Sequence, residues 1–261
     1  MKAFQGYAFD LDGTVYLGDK LLPGAAETIE RIRSLGARVV FVTNKPLESA
    51  ADYAAKLTRL GIPAVVADIV TAIDSLLLYL GEHHPRARVL TIAEPLVEST
   101  LVDAGFSVVR DPASADLVVV SFDRTFDYAK LTAAYQAVRH YGAPIVATNP
   151  DPYCPTPDGG LPDCAAMLAA LEACTGVRAE AVLGKPSATM GRALLERLGT
   201  PPASSAMIGD RLLTDVAMGQ RVGMAGVLVL SGATARSALD ASDVRPDYVL
   251  DDIRYVLGSD T

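Results

Sequence analysis

The sequence predicts an α/β fold built on parallel sheets, with a second, smaller α/β domain inserted into the first. Three observations carry this. Short apolar runs alternate with helical patterns along the chain. The alternation starts afresh between about residues 81 and 180, leaving 1–80 and 181–261 as the first domain. The polar motifs stand where apolar runs stop, which is where ligands bind in an open parallel sheet.

Taken in order, Gly6 to Phe9 reads as a buried strand, followed by a helix from Ala25 to Leu35 and a strand from Arg38 to Val42. A helix from Leu47 to Leu60 comes next. After the insertion come a short run from Ala181 to Leu183, a helix from Ser187 to Leu198, and strands at Ala206–Ile208, Gly226–Leu230 and Tyr248–Leu250. Gly36, Gly61 and Gly199 follow the three helices where a left-handed cap residue is expected. Within the insertion, Arg88–Ile92, Leu117–Val120 and Pro144–Ala147 read as strands, and Leu96–Ala104, Tyr128–Tyr141 and Cys164–Cys174 as helices. Leu131, Ala134, Tyr135 and Val138 recur at helical spacing, as do Cys164, Met167, Leu168 and Leu171. Cys164 therefore reads as packing before chemistry.

Composition narrows the function classes. With 261 residues, 50% hydrophobic and 21% charged, the chain is globular. Its net charge of -8 argues against nucleic acid and anionic membranes as partners, since both need a clustered basic face. Cys154, Cys164 and Cys174 lack the close spacing of a zinc site, so reduced thiols in a cytoplasmic protein are expected. His83 and His84, just before Pro85, read as solvated loop. No apolar stretch is long enough to span a bilayer.

The chemistry is concentrated in four run ends: Asp10-Leu11-Asp12-Gly13-Thr14, Thr43-Asn44, Gly184-Lys185-Pro186, and Gly209-Asp210 followed by Thr214-Asp215. Each alone has a bland reading as an acidic turn, a helix cap, a solvated lysine or a helix start. Together they bring carboxylates, a hydroxyl and an ammonium to one crevice, a set suited to phosphoryl transfer through an aspartyl-phosphate. An ionised Asp10 attacking a phosphate dianion meets repulsion of roughly 4 kcal/mol at about 4 Å and an effective dielectric of 20. Cations must offset it. Asp10 and Asp210, with a backbone carbonyl near Asp12, offer hard oxygen ligands for Mg²⁺, and Lys185 offers a fixed ammonium. Thr43 can donate to a phosphoryl oxygen. Asp12, two residues after Asp10, is close enough to act as acid and then base.

On these motifs the chain resembles the haloacid dehalogenase superfamily of phosphatases, in its NagD-like branch. Phe122-Asp123-Arg124 and Ala147-Thr148-Asn149-Pro150-Asp151 extend the resemblance through the insertion. The resemblance implies a Rossmann-like, doubly wound parallel sheet as the core and the inserted α/β domain as a cap. It implies Asp10 as nucleophile, Asp12 as acid/base, Asp10, Asp12 and Asp210 as Mg²⁺ ligands, and Asp215 as their support. Thr43, Asn44 and Lys185 are the expected phosphate binders, and a homodimer formed through the cap is implied. Val15 to Leu22 leaves room only for a short hairpin turning at Gly18-Asp19, so the cap lies between Asn44 and Lys185. The chain departs from many relatives at Asn44-Lys45-Pro46 and at Pro162-Asp163.

The expected activity is hydrolysis of small phosphate monoesters, 4-nitrophenyl phosphate included. A phosphotransferase or mutase using the same aspartyl-phosphate, or a silent metabolite-binding protein, are the alternatives. Asn149, Asp151 and Asp163 are the expected cap residues facing the substrate. Amides and carboxylates suit the hydroxyls of a sugar phosphate better than an anionic tail. Asp163 has a second reading, as the cap of the helix that starts at Cys164.

Overall fold

The computed structural model describes residues 1–154 and 160–258. Contacts divide the chain into two compact units: Met1–Thr43, Ala50–Val70 and Lys185 onward form the first, and Asn44–Ser49 with Thr71–Gly184 form the second.

The first unit is built on a six-stranded sheet in the order Tyr248–Leu250, Ala225–Val229, Ser205–Gly209, Gly6–Asp10, Arg38–Thr43, Ile69–Thr71. The central strand Gly6–Asp10 runs parallel to both its neighbours, with Phe9 opposite Ile208 on one side and Phe41 on the other. It is buried from end to end. Its side chains alternate between two cores: Tyr7 and Phe9 join Ile29, Ile32 and Phe41 on one face, while Ala8 joins Val40, Met190 and Met207 on the other. Helices cover both faces, as a doubly wound sheet requires. On one, Ile29 and Ile32 anchor Ala25–Ser34. On the other, Met190, Leu194 and Leu198 anchor Ala188–Leu198, whose N-cap Ser187 accepts from the Met190 N–H at 3.1 Å.

The second unit carries its own five-stranded sheet, in the order Ala181–Val182, Ile145–Ala147, Leu117–Val120, Arg88–Ile92, Ser107–Val109, with every pairing parallel. One side is sealed by Ala134, Val138, Met167 and Leu171 from helices Tyr128–Tyr141 and Cys164–Thr175. The other is sealed by Leu76 and Leu80 of helix Ala72–His83 and by Val97 and Leu101 of Pro95–Asp103. Two further pairs of short antiparallel strands are Tyr16–Leu17 with Lys20–Leu21 and Tyr153–Cys154 with Leu161–Pro162.

Three expectations need correction. A boundary at residue 81 would cut helix Ala72–His83, whose Ile73, Leu76 and Leu80 pack in the core of the second unit. The chain changes units at Thr71, which caps that helix and whose backbone N–H donates to Asp74 Oδ2 at 2.7 Å. His83 ends this helix instead of lying in a loop, and His84 Nε2 reaches Glu180 Oε1 at 2.5 Å. The helix expected from Leu47 begins at Ala50. Among the described residues no disulfide joins the cysteines; Cys154 and Cys164 are buried and Cys174 is exposed. Among the described residues no helix is long and apolar enough to cross a membrane.

Candidate active site

In the first sheet, strand Gly6–Asp10 lies between Arg38–Thr43, which follows it in sequence, and Ser205–Gly209, which comes from the far end of the chain. The connections therefore diverge at this strand's carboxyl end, which is where a doubly wound sheet opens a crevice for ligand. Asp10 is the last residue of the strand and Asp210 directly follows its neighbour. Asp10 stands opposite Val42, so Thr43 is one residue further along the adjoining strand, and it is buried. Four of the expected residues converge here. Lys185 Nζ hydrogen-bonds Asp10 Oδ1 and lies 2.7 Å from Asp215 Oδ1. Asp10, Asp210 and Asp215 each offer a carboxylate oxygen within 4.8 Å of the others, and all three are buried.

The local backbone explains the convergence. After Asp10 the chain folds tightly, the N–H groups of Val15 and Tyr16 both reaching the Leu11 carbonyl, at 2.9 and 3.2 Å. Gly13 adopts φ 88°, and a Cβ there would lie 2.9 Å from Asp210 Cγ. After Asp210 a wide π-type turn, Leu212–Val216, brings Asp215 back against strand residue Gly209, which has no side chain to obstruct it. The Asp215 carboxylate accepts from the Arg211 N–H at 3.0 Å.

The charges do not balance. Burial pushes Asp10 well above the usual carboxylate range; Lys185 pulls it back, while Asp215 and Asp210 push it up further. Burial, then Asp215, raises Asp210 to about 6. Burial opposes the Lys185 charge, but Asp10 and Asp215 outweigh it and hold the ammonium protonated beyond its ordinary range. Three buried carboxylates thus share one ammonium. Asp210 Oδ1 is buried with no hydrogen-bond partner among the described residues. Clustered hard oxygens with an unpartnered lone pair fit a small divalent cation such as Mg²⁺. Asp215, expected only as support, is one of the three clustered carboxylates, whereas the Asp12 carboxylate is not. Asp12 is half-buried on the turn that follows the strand.

One group of site residues was missed in the sequence. The strand Ala225–Val229 leads to Ser231, Gly232 and Ala233, which grip the two motifs flanking the cluster. The Ala233 N–H donates to Asp210 Oδ2 at 2.6 Å and the Ser231 hydroxyl to the Gly13 carbonyl at 2.9 Å. A Cβ on Gly232 would come within 2.6 Å of Asp210 Cγ. The signal was present: the apolar run 226–230 ends in Ser-Gly, one more polar run end on the same sheet edge.

The residues expected to face the substrate from the cap lie in the second unit, and so does Asn44, which was expected to bind phosphate. Asn44 donates from Nδ2 to Asp151 Oδ2 at 3.0 Å. Asn149 is fully buried, donates to the Asn44 carbonyl at 3.2 Å and accepts from the Asp151 N–H at 2.9 Å. Asp163 is only 3% exposed and is the N-cap of helix Cys164–Thr175, accepting from the Cys164 N–H at 2.6 Å. Burial, with a contribution from Asp151, raises it to about 6, against the Cys164 N–H, the Asn149 side chain and the Lys45 charge. Asn149 and Asp163 are thus engaged in holding backbone, and only Asp151 of the three is half-open. The motif Phe122-Asp123-Arg124 is internal support as well: Asp123 binds Lys130 at 2.6 Å and Arg124 binds Glu94 at 2.8 Å.

Comparison with known proteins shows the family. Residues 7–107 match the family model described as haloacid dehalogenase-like hydrolase, and residues 182–256 match the HAD-hydrolase-like model. The chain is 36% identical over 251 residues to the sugar-phosphatase AraL of Bacillus subtilis, covering 96% of this chain and 91% of that one. It is 30% identical to the 5'-nucleotidase YutF of the same organism, covering 97% of each. The crystal structure of a 4-nitrophenylphosphatase from Thermotoga maritima superposes with a TM-score of 0.90 at 33% identity, over 96% of this chain and 95% of that one. A protein described as a putative NagD protein superposes with a TM-score of 0.88 at 32% identity, over 97% and 96%. The chain therefore belongs to the haloacid dehalogenase-like hydrolases, as a NagD-like phosphatase that hydrolyses phosphoric monoesters.

Proposed function

We propose that this phosphatase is Mg²⁺-dependent, acts through an aspartyl-phosphate on Asp10, and takes sugar phosphates as substrates. The observation that carries the mechanism is the buried cluster of Asp10, Asp210 and Asp215 around one ammonium, at the carboxyl end of the central strand. Asp10 and Asp210, with the Asp12 carbonyl, would hold the metal. When bound, the ion supplies positive charge that neutralises the carboxylates and the approaching phosphoryl oxygens.

The chain's own groups do the rest. Lys185, held protonated between Asp10 and Asp215, binds a phosphoryl oxygen and keeps the Asp10 carboxylate aimed. The buried Thr43 hydroxyl donates to a second oxygen. Asp10 attacks phosphorus, and the ester oxygen leaves with a proton from Asp12. Asp12 then takes a proton from water as that water attacks the acyl-phosphate, returning Asp10 free.

Support for sugar phosphates comes from the 36% identity with a sugar-phosphatase and from a net charge of -8, which disfavours polyanionic substrates. Asp163 lends no support, because it is buried as a helix cap. The 30% identity with a 5'-nucleotidase favours a second reading, nucleoside monophosphates. Phosphate release from a panel of sugar phosphates, nucleoside monophosphates, phosphoglycolate and 4-nitrophenyl phosphate, with and without Mg²⁺, separates the readings. A sugar phosphate should give the highest kcat/KM among the metabolites. Preference for a nucleotide or for phosphoglycolate would reject the substrate assignment.

A further inference from the structure

The chain changes units four times, and two of the changes occur at groups of the site: between Thr43 and Asn44, and between Gly184 and Lys185. Within the second unit these two crossings meet at one side chain, Asn149. Its Nδ2 donates to the Asn44 carbonyl at 3.2 Å. Asn44 in turn donates to Asp151 Oδ2 at 3.0 Å, while the Asp151 N–H returns to Asn149 Oδ1 at 2.9 Å. The return crossing is bound to the same turn. The Leu183 N–H donates to the Ala147 carbonyl at 2.8 Å, which continues the pairing of Val182 with Ala147. Gly184 has φ 70°, and a Cβ there would lie 2.7 Å from the Thr148 carbonyl oxygen, 2.8 Å from Asn44 Oδ1 and 3.1 Å from Asn149 Cβ.

The Asn149 amide is fully buried, and it hydrogen-bonds Asp163 as well. An amide offers two donors and an acceptor, and here Asn44, Asp163 and Asp151 take them. A group so engaged has a rigid place and little left for a ligand. We propose that Asn149 is a positioning residue for the reaction: through Asn44 and Gly184 it sets where the chain delivers the Thr43 hydroxyl and the Lys185 ammonium. The proposal rests on the phosphoryl-binding roles given above to Thr43 and Lys185. Its physical basis is that reacting groups tolerate little displacement, an error of about 1 Å costing on the order of 10²-fold in rate.

The test compares wild type, Asn149→Ala and Asp151→Ala in the full chain, well below their melting temperatures. It measures kcat and KM for 4-nitrophenyl phosphate and for glucose 6-phosphate, and competitive inhibition by inorganic phosphate. Asn149→Ala should lower kcat about 10²-fold, by the same factor for both substrates, and should weaken inhibition by phosphate. Asp151→Ala removes the acceptor of the Asn44 amide and should show the same pattern at smaller size. Asp151 is half-buried, so this variant decides the matter if Asn149→Ala does not fold. A loss confined to glucose 6-phosphate would mean that Asn149 touches the leaving group, and would overturn the proposal. So would a lower melting temperature with kcat and phosphate inhibition unchanged. Absence of turnover in the wild type would instead refute the phosphatase reading itself.

Discussion

Lys185 Nζ lies 2.7 Å from Asp215 Oδ1 while also hydrogen-bonding Asp10, so one buried ammonium is shared by the proposed nucleophile and by a carboxylate 205 positions later in the chain (215 - 10). This arrangement crowds three buried carboxylates around one ammonium, and the testable consequences follow from that crowding.

Mg²⁺ should bind and stabilise. At a concentration about 100 times its Kd it should add roughly 2.7 kcal/mol to folding stability, read as a rise in Tm. A chelator should remove the activity, and Ca²⁺, with its looser shell, should restore it poorly. Asp210 must lose its proton to bind metal, and burial holds it near 6. Asp10, the other carboxylate proposed to hold the ion, is raised as well, so Mg²⁺ affinity should fall as pH drops through about 6. Calorimetric titration from pH 5 to 8 checks this; a flat profile would count against Asp210 as ligand.

Gly232→Ala should disturb the same site from outside the expected motifs. The added Cβ would sit 2.6 Å from Asp210 Cγ, so the carboxylate must move. Loss of a group that orients a ligand typically costs about 10 to 100-fold in metal affinity. Unchanged Mg²⁺ affinity in this variant would show that Asp210 has room to spare.

Asp12→Ala should lose about 10² to 10⁴-fold in kcat with a sugar phosphate. The loss should be smaller with 4-nitrophenyl phosphate, whose leaving group needs no proton. Equal losses for the two substrates would contradict the acid role.

Asp163 makes a prediction about stability. In the unfolded chain its carboxyl titrates near about 3.9, and in the folded chain burial raises it to about 6. The folded state holds the proton more tightly, so the group favours folding most below about pH 4. That advantage is lost as pH rises through 6, a swing of roughly 3 kcal/mol. Asn caps helices about as well as Asp and does not titrate. The stability of Asp163→Asn relative to wild type should therefore rise between pH 4 and 6.5 and stay level above, with the ranking of substrates unchanged. A changed ranking would return Asp163 to the substrate.

Much of this was legible in the sequence for a physical reason. Buried parallel strands read as continuous apolar runs, so Gly6–Asp10 and Leu117–Val120 stood out, as did the polar residues that end such runs. Helix Ala72–His83 was not read because it is apolar around much of its circumference, which blurs its period. The Ser231-Gly232-Ala233 grip works through backbone and through the absence of a side chain, which leave little trace in residue type. Asn149 was read as substrate-facing, and Asp163 as either substrate-facing or a helix cap, because the polarity of a side chain does not reveal whether its partner is a ligand or a backbone group. Their burial and hydrogen bonds do.

The measurement that bears most directly on the central claim is the site of phosphorylation. Wild-type enzyme mixed rapidly with 4-nitrophenyl phosphate and Mg²⁺, then quenched in acid, should carry one phosphoryl group on the peptide containing Asp10. Hydroxylamine should remove it, and Asp10→Asn should neither acquire it nor turn over. A phosphoryl group on another residue, or turnover by Asp10→Asn at the wild-type rate, would contradict the account.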